Sequence, residues 1–365
     1  MLTLHLKTKA RPLRHALLLA FAMLGAVFPA TAEEVPVKLT EVKSWLLLLN
    51  NDLDPRSLEK IGQIPYDMVV VDHISSQKNV PETASGNAVK RLQHGPDGAR
   101  RPVIAYLNIG QAEDYRAYWK KGWRVGHPSF ILGTDPDGWA GNFPVAYWKR
   151  EWRQLIAGPG GLIEQIQAAG FDGLYLDWVG GFEDESVVAA ARRDGVDARA
   201  EMIAWVREVS AVAKGGQRPL LVIAQNAAPL LEDSSYLEAI DGVSHEDIWF
   251  TGADGLAEGD CPVPRNAAEV GSAAYLARLD KACRRSHDKD PASAMRFVGE
   301  GVIVPLLKLA QDQGKAVFTV DYALKVENIG AARNASRSFG FVPFIGARNL
   351  NTIVGLPRAD DGGER

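Results

Sequence analysis

The sequence predicts a single-domain (β/α)8 barrel, because eight short apolar runs alternate with amphipathic stretches of helical length. Turn residues bound each run, as is typical of buried parallel strands. Alternation of strands with helices indicates parallel βαβ units, and eight such units favour a closed barrel. The predicted strands are Trp45–Leu49, Met68–Asp72, Pro102–Ile109, Gly173–Val179, Pro219–Ala224, Gly242–Ile248, Ala316–Asp321 and Gly340–Ile345.

Apolar residues at helical spacing lie between the strands, for example over Gly161–Ala169 and Ala200–Ala213. A doubly wound open sheet is the alternative to the barrel. In nucleotide-binding sheets of that kind, a glycine-rich loop follows the first strand. Here the first strand continues directly into Asn50, Asn51 and Asp52, so the barrel is favoured.

Residues 1–32 are predicted to be a signal peptide. Four Lys and Arg side chains precede an apolar run from Ala16 to Phe28, and an A-x-A-like cleavage site ends at Ala32. The run is shorter than the roughly 20 apolar residues that span a bilayer, although an uncleaved anchor is the alternative. We therefore expect export, periplasmic or secreted, after cleavage near Ala32. We also expect a catalytic domain over 33–358, a polar tail over 359–365 and no membrane span in the mature chain.

Charge and cysteine content restrict the partners. Removal of the four basic residues in 1–32 would take the formal net charge from −4 to −8. This balance argues against nucleic acid, since phosphate contacts need clustered Lys and Arg, and is compatible with a neutral or cationic substrate. Cys261 and Cys283 are expected to form a disulfide in an oxidising compartment, with two free thiols as the alternative. No zinc-type Cys/His spacing surrounds them, and we predict neither a metal nor a cofactor.

Polar side chains are concentrated where the predicted strands end, at seven of the eight runs. In a (β/α)8 barrel these carboxyl ends share one rim, where active sites are built. The residues at these ends are Asn50, Asp72, Asn108, Glu113, Asp177, Gln225, Asn226, Glu246, Asp321 and Tyr322.

Asp177 and Glu246 are the predicted catalytic residues. Because strand side chains alternate, Asp177 shares an inward face with Tyr175, and Glu246 shares one with the small Ser244. Glycoside hydrolysis needs two carboxyl groups: one protonates the leaving oxygen, and the other attacks the sugar or activates a water. The alternatives are a structural Asp177 held by N–H groups and a Glu246 that begins a helix, whose first turn favours acids.

Other rim residues are candidates for binding substrate. Asp72, Glu113 and Asp321 could bind hydroxyl or ammonium groups, with capping or structural support as the alternative. Tyr115 begins an aromatic-rich segment, up to Trp152, that holds five of the nine tryptophans. Aromatic faces stack on sugar rings, so this density favours a sugar-binding groove, although for any single ring core packing is the alternative.

Four segments resemble the conserved blocks of glycoside hydrolase family 114: Asn108–Arg116, Gly173–Asp177, Ser244–Glu246 and Thr319–Tyr322. The members of that family studied for activity are endo-α-1,4-polygalactosaminidases. The resemblance covers nearly the whole mature chain and implies a (β/α)8 fold with a nucleophile at Asp177 and an acid/base at Glu246, as in other retaining α-glycosidase barrels. Gln111 departs from the pattern, which often has an acidic residue there, and the segment around Cys261 and Cys283 looks like an insertion.

The predicted function is therefore internal cleavage of an α-1,4-linked galactosamine polysaccharide by an exported monomer. The full predicted substrate-binding set is Asp72, Asn108, Glu113, Tyr115, Tyr175, Asn226, Asp321 and Tyr322. One alternative is a non-catalytic barrel that binds amino-sugar polymers. The other is a metal-dependent polysaccharide deacetylase, since His73 and His245 adjoin rim carboxylates, but strand parity turns both histidines to the opposite face.

Overall fold

Eight parallel strands and two short hairpins make up the β-structure of the described residues of the chain, for which the structure is a computed structural model. The model describes residues 38–50, 53–73, 82–216, 218–253, 257–289 and 299–354. The predicted signal peptide and polar tail lie outside these residues. In chain order the strands are β1 (Trp45–Leu48), β2 (Met68–Asp72), β3 (Val103–Asn108), β4 (Gln111–Glu113), β5 (Asn142–Pro144), β6 (Gly173–Asp177), β7 (Leu221–Gln225), β8 (Gly242–Glu246), β9 (Phe250–Ala253), β10 (Ala257–Pro262), β11 (Ala316–Tyr322) and β12 (Val342–Gly346).

The large sheet has the order β1-β2-β3-β6-β7-β8-β11-β12, and every pairing in it is parallel. Each predicted strand is present, with ends that differ from the prediction by no more than two residues. The sheet curves into a nearly closed barrel, so the predicted (β/α)8 fold is confirmed. The two antiparallel hairpins, β4–β5 and β9–β10, follow the third and sixth barrel strands and were not predicted.

Helices occupy the connections between barrel strands. α4 and α6 confirm the two helices predicted from apolar spacing. The side chain of Asp197 caps α6 by accepting the Ala200 N–H, while Met202, Val206 and Val209 are buried on one face. The helices are α1 (Pro55–Gly62), α2 (Glu82–Leu92), α3 (Arg150–Ala157), α4 (Leu162–Ala169), α5 (Glu185–Asp194), α6 (Ala198–Lys214), α7 (Ser234–Ala239), α8 (Ala273–Arg278), α9 (Lys281–Lys289), α10 (Glu300–Asp312) and α11 (Val326–Ser338).

Large aromatic side chains pack inside the barrel. The ring of Trp45 on β1 lies 5.3 Å from that of Phe318 on β11, 6.2 Å from that of Tyr175 on β6 and 5.7 Å from that of Phe344 on β12, measured between centroids. Four strands therefore meet at one indole. This packing fills the interior beneath the rim, as expected for a barrel whose centre is a packed core.

The seam between the first and last barrel strands has no ladder pairing among the described residues. Instead the indole N–H of Trp45 donates to the Val342 carbonyl at 3.1 Å. At the upper end of the seam the Leu49 N–H donates to the Leu350 carbonyl at 3.0 Å. The Asn50 side chain also donates to the Asn349 carbonyl at 2.7 Å, so side-chain packing and isolated hydrogen bonds join the two edges here.

The segment from β9 to α9 is the part that the sequence marked as an insertion. Cys261 on β10 and Cys283 on α9 form a disulfide, which confirms the predicted pairing. The Asp260 carboxylate accepts the backbone N–H groups of Leu324 and Lys325, each at 3.1 Å, and so fastens the hairpin to the loop after β11. None of the helices in the described ranges is both long and apolar enough to cross a membrane.

Candidate active site

Asp177 ends β6 on the inward face of the barrel. The hydroxyl of Tyr175, which shares this face, donates to the Ser244 hydroxyl on β8 at 2.9 Å, so the two strands are linked across the interior just below their ends. The Tyr106 hydroxyl on β3 donates to Asp177 Oδ2 at 2.5 Å. Asp177 therefore lies at the rim above a filled core, as strand parity predicts.

The pKa of Asp177 is raised to about 7. Burial is the largest cause, because it disfavours the charged form. The Tyr106 hydrogen bond opposes this rise by stabilising the anion, and the nearby Glu246 carboxylate adds to it by like-charge repulsion. Asp177 and Glu246 are therefore electrostatically coupled. A carboxyl group that titrates near neutral pH at a barrel rim is a feature of catalytic sites.

Glu246 ends β8, and its carboxylate is held at both oxygens. The Asn226 amide donates to Oε1 at 2.7 Å, and the Tyr322 hydroxyl donates to Oε2 at 2.6 Å. Asn226 also accepts the Glu246 backbone N–H at 3.0 Å, so the same amide fixes the main chain and the side chain. The alternative that Glu246 begins a helix is wrong, since the next described element is strand β9.

Three neighbouring strands are each followed by a non-glycine residue with left-handed backbone. Trp178 after β6 has φ 59°, Asn226 after β7 has φ 59° and Asp247 after β8 has φ 58°. Such residues cost on the order of 1–3 kcal/mol each and persist only where surrounding contacts impose them. They concentrate at functional sites, and here they surround Asp177 and Glu246 on this part of the rim.

A buried ion-pair cluster lies on the same part of the rim as Asp177, whose pKa is influenced by the charge of Glu113. Arg116, which is fully buried, donates to Asp72 at 2.8 Å and to Glu113 at 2.6 Å, and the Tyr115 hydroxyl also bonds Glu113. Asp72 and Glu113 were predicted to bind hydroxyl or ammonium groups. Both carboxylates accept hydrogen bonds from the Arg116 guanidinium, so a contact with substrate would come in addition to this pairing. A buried arginine needs such partners, since an uncompensated buried charge is very costly.

Three further residues of the predicted substrate-binding set are also used internally. Asn108 accepts the backbone N–H groups of Gly110 and Gln111 and so shapes the turn after β3. Tyr175 is fully buried beneath the rim. Asp321 is fully buried on the face of β11 opposite to Tyr322, where it accepts backbone N–H groups at the start of β9. We therefore omit all three from the proposed contacts with substrate.

The remaining members of that set are placed differently from one another. Asn226 and Tyr322 donate hydrogen bonds to the Glu246 carboxylate. Tyr115 is 40% exposed, with its ring packed 5.0 Å from the Arg116 guanidinium carbon. Tyr115 is therefore an aromatic side chain of the cluster that is open to solvent.

The aromatic-rich segment mostly forms a secondary core, which corrects the prediction of a sugar groove there. Trp119 stacks on Phe143 at 4.9 Å, and Trp152 is fully buried, with its indole N–H bonded to the Ile109 carbonyl. These rings cover the outside of the turn after β3. Trp139 is the exception: its side chain is 41% exposed, and the Arg348 guanidinium carbon lies 5.5 Å from its ring centroid.

Histidines and other metal-ligand types do not converge in the part of the chain that the structure describes: no three His, Cys, Asp or Glu side chains are grouped to hold a metal ion. His73 Nδ1 contacts the Tyr106 carbonyl, and His245 Nδ1 contacts the Glu246 carbonyl at 2.8 Å. Gln111 is buried and donates to Asp135 at 2.6 Å, so the position where the family pattern is often acidic is tied into a loop.

Two surface clefts of about 490 and 480 Å³ are lined by neither Asp177 nor Glu246, and Arg265 and Glu300 line both. Their ionic side chains are largely paired, for example Lys325 with Asp280 at 3.2 Å and Arg278 with Glu269 at 3.2 Å. The coupled carboxyl groups, the left-handed residues and the buried cluster all mark the rim instead.

Sequence reasoning missed Tyr106 and Arg116 as site residues. Tyr106 could have been found by parity, since it lies two residues before Asn108 on β3 and therefore shares the inward face of Asn108. Arg116 gave no such signal, because its partner Asp72 is 44 residues away in the chain.

Comparison with known proteins agrees with this architecture. The family model described as "Glycoside-hydrolase family GH114" matches residues 36–360. An uncharacterised protein of Deinococcus radiodurans is 30% identical over 326 residues, which covers 89% of this chain and 87% of the relative. One of Thermotoga maritima is 30% identical over 212 residues, covering 57% of this chain and 60% of the relative.

Solved structures also share the fold. The glycoside hydrolase domain of PelA from Pseudomonas aeruginosa is similar with a TM-score of 0.53 and 14% identity, covering 86% of this chain and 97% of that domain. The Aspergillus fumigatus Ega3 structure in complex with galactosamine has a TM-score of 0.51 and 16% identity, covering 87% and 95%. At such identities the structures support the fold alone, whereas the family model spans almost all of the described chain. The protein belongs to glycoside hydrolase family 114.

Proposed function

We propose that this glycosidase cleaves an α-1,4-linked galactosamine-containing polysaccharide internally, with Asp177 as nucleophile and Glu246 as acid/base. The observation that carries the proposal is a pair of carboxyl groups at the ends of β6 and β8, each held by hydrogen-bond donors from other strands or the residues that follow them. One carboxyl group to attack and one to transfer a proton are what a retaining glycosidase needs.

In the first step Glu246 donates its proton to the glycosidic oxygen as that bond breaks, while Asp177 forms a bond to the anomeric carbon. In the second step Glu246 takes a proton from water, and the water oxygen displaces Asp177 from that carbon. Overall retention of configuration follows from two displacements. Tyr106 would stabilise Asp177 as it leaves, and Asn226 with Tyr322 would orient Glu246 in both steps.

The charge of the site is compatible with an amino sugar. Arg116 compensates one of the two carboxylates of its cluster, which leaves one negative charge beside Asp177 and Glu246. An ammonium group on the substrate would be attracted to this surplus. The galactosamine bound in the Ega3 structure supports the choice of sugar, since the two chains share a family fold.

Export is the second part of the proposal. The Cys261–Cys283 disulfide supports it, since disulfides persist in oxidising compartments and are rare in the cytosol. Transfer of residues 1–33 onto a reporter enzyme, followed by N-terminal sequencing of the processed product, tests it. Cleavage near Ala32 and recovery of the reporter outside the cytoplasm are expected, and retention of the uncleaved fusion would contradict export.

The test of activity is incubation of the purified mature protein with de-N-acetylated α-1,4-galactosaminan, followed by mass spectrometry of the products. Oligosaccharides of several lengths are expected early, because internal cleavage does not start from the chain ends. Asp177→Asn and Glu246→Gln should each abolish the products. Asp233→Asn is the matched control, since the Asp233 carboxylate caps α7 by accepting the Tyr236 N–H.

Alternative functions give other outcomes in the same experiment. Binding of the polymer without cleavage would favour a non-catalytic barrel. Release of acetate from the acetylated polymer, lost on addition of EDTA, would favour a metal-dependent deacetylase. NMR of the first products separates retention from inversion, and a first-formed β-anomer would exclude Asp177 as nucleophile.

A further inference from the structure

Asp247 and Asp321 lie side by side immediately behind Glu246. Asp247 follows Glu246 in the chain, and its N–H donates to the carbonyl of Val320 at 2.9 Å, the residue before Asp321. Asp321 alternates with Tyr322 on β11 and so points away from the barrel interior, and Asp247 follows the end of β8 with a left-handed backbone. Neither aspartate has a role in the chemistry described above.

Both side chains are buried, with 8% of Asp247 and none of Asp321 exposed. Asp321 Oδ1 accepts the backbone N–H groups of Trp249 at 2.7 Å and Phe250 at 3.0 Å, and the Thr251 side chain bonds Asp247. Within the described ranges, the remaining oxygens, Asp321 Oδ2 and Asp247 Oδ1, are buried without a hydrogen-bond partner. Two such oxygens on adjacent strands are satisfied together when one of them carries a proton.

The surroundings favour a proton there. Burial raises the pKa of Asp321 to about 7. Burial also raises the pKa of Asp247 well above its ordinary value, and the charges of Glu246 and Asp321 add to this rise, while Arg348 opposes it. Two adjacent carboxylates in a buried site cannot both ionise without strong repulsion.

We propose that Asp247 and Asp321 share one proton and, as an acid–carboxylate pair, hold the turn between β8 and β9 that positions Glu246. The shared proton joins the two strands, and Asp321 at the same time binds the two N–H groups that start β9. The left-handed backbone of Asp247 persists because hydrogen bonds hold the chain on both sides of it, at the N–H groups of Glu246 and Trp249. The pair acts through Glu246, so this positioning role rests on the proposed function.

Stability against pH tests the shared proton without any substrate. The pair binds more protons when folded than when unfolded between about pH 4 and pH 7, so the wild type should lose stability as pH rises through that window. Asp321→Asn keeps the acceptor for both N–H groups and donates to Asp247 at every pH. Relative to this variant, the melting temperature of the wild type should fall on the order of 5 °C between pH 4 and pH 8.

Two further variants make the stability test specific. Asp321→Ala removes the acceptor as well and should melt below Asp321→Asn at every pH. Asp241→Asn is the matched control, since Asp241 also accepts an inter-strand backbone N–H, from Val222 at 2.8 Å, but is paired with Lys214 at 3.0 Å. A difference between wild type and Asp321→Asn that is constant with pH would overturn the shared proton.

Activity against pH tests the positioning of Glu246. The kcat of the wild type should decrease at alkaline pH as the pair gives up its proton. In Asp321→Asn this decrease should occur at higher pH, with little change in KM. If kcat decreases at the same pH in both proteins, although their stabilities differ as expected, the positioning role is overturned. A wild type inactive on the galactosamine polymer would contradict the proposed function, and the melting curves would still decide the shared proton.

Discussion

The Tyr106 hydroxyl on β3 reaches past the end of its own strand to donate a 2.5 Å hydrogen bond to the Asp177 carboxylate on β6. In the strand register Tyr106 lies beside Tyr175, two residues before Asp177. The length of the phenol spans this offset. The bond is the main influence that favours ionised Asp177, since burial and Glu246 both oppose ionisation.

Removal of this hydroxyl in Tyr106→Phe should raise the pKa of Asp177, because the carboxylate loses a donor while the acid loses less. If Asp177 acts as the nucleophile, kcat/KM falls as pH drops below about 7 in the wild type. In the variant this acidic limb should move upward by about 1 pH unit. The measurement is kcat/KM between pH 5 and pH 9.

Tyr175→Phe is the control for this shift, since the Tyr175 hydroxyl bonds Ser244 instead of a carboxylate. Its acidic limb should stay near that of the wild type. Loss of kcat/KM above pH 7 in the wild type, with full activity below, would instead assign Asp177 the role of acid.

Asp177→Asn should make the protein inactive yet more stable at neutral pH. The folded-state pKa of Asp177, about 7, lies above its ordinary value of 3.8. The folded state therefore binds more protons between these values, and ionisation of Asp177 lowers the free energy of unfolding as pH rises through them. Asparagine removes this cost, so the gain should be on the order of 2 kcal/mol at pH 8 and near zero at pH 4. Urea unfolding at both pH values measures it, and a gain that is equal at the two would contradict the prediction.

Arg116→Met should be strongly destabilising, by about 3–5 kcal/mol, because it leaves Asp72 and Glu113 buried without their cation. Guanidinium unfolding gives the magnitude. The triple variant with Asp72→Asn and Glu113→Gln is the matched control, since it removes the charges together and should recover most of the lost stability. If the single variant proves as stable as the wild type, the cluster is not held together by this guanidinium.

Asn226→Gly should lower kcat and cost less stability than Asn226→Ala. Glycine accepts the left-handed backbone of this position without strain, but it removes the amide that holds Glu246. We expect a decrease in kcat of roughly 10- to 100-fold, within the usual range for a group that supports acid–base catalysis. Asn226→Ala should lose the same activity and, in addition, stability on the order of 1 kcal/mol from backbone strain. Equal melting temperatures for the two variants would contradict the strain argument.

The barrel was predictable because its signal is local. Each buried strand is a short apolar run between turn residues, and parity within β6 and β8 was enough to direct Asp177 and Glu246 inward. Glu246 at the end of a strand was harder to predict, since an acid after a strand also begins helices.

The contacts of the polar residues were not predictable in the same way, because they depend on partners far apart in the chain. From the sequence alone, Asp72 is expected to be available to substrate at the rim, whereas the structure places Arg116 beside it. The same expectation holds for Asp321, whereas in the structure its carboxylate accepts the Trp249 N–H just before β9. Aromatic content gave a false signal for a related reason. The rings of Trp119 and Trp152 can stack on a sugar or pack against other side chains of the protein, and composition does not distinguish these two uses.

The seam at Trp45 has a consequence for how the chain is made. The outer edge of β1 has its counterpart in β12, and the residues joined by the Trp45–Val342 hydrogen bond are 297 positions apart. During synthesis the first strand leaves the ribosome with this edge uncovered, and nothing can cover it until almost the entire polypeptide has emerged. If the protein is exported as proposed, this late closure would keep the chain in the unfolded form that a protein-conducting channel accepts until translation is nearly complete.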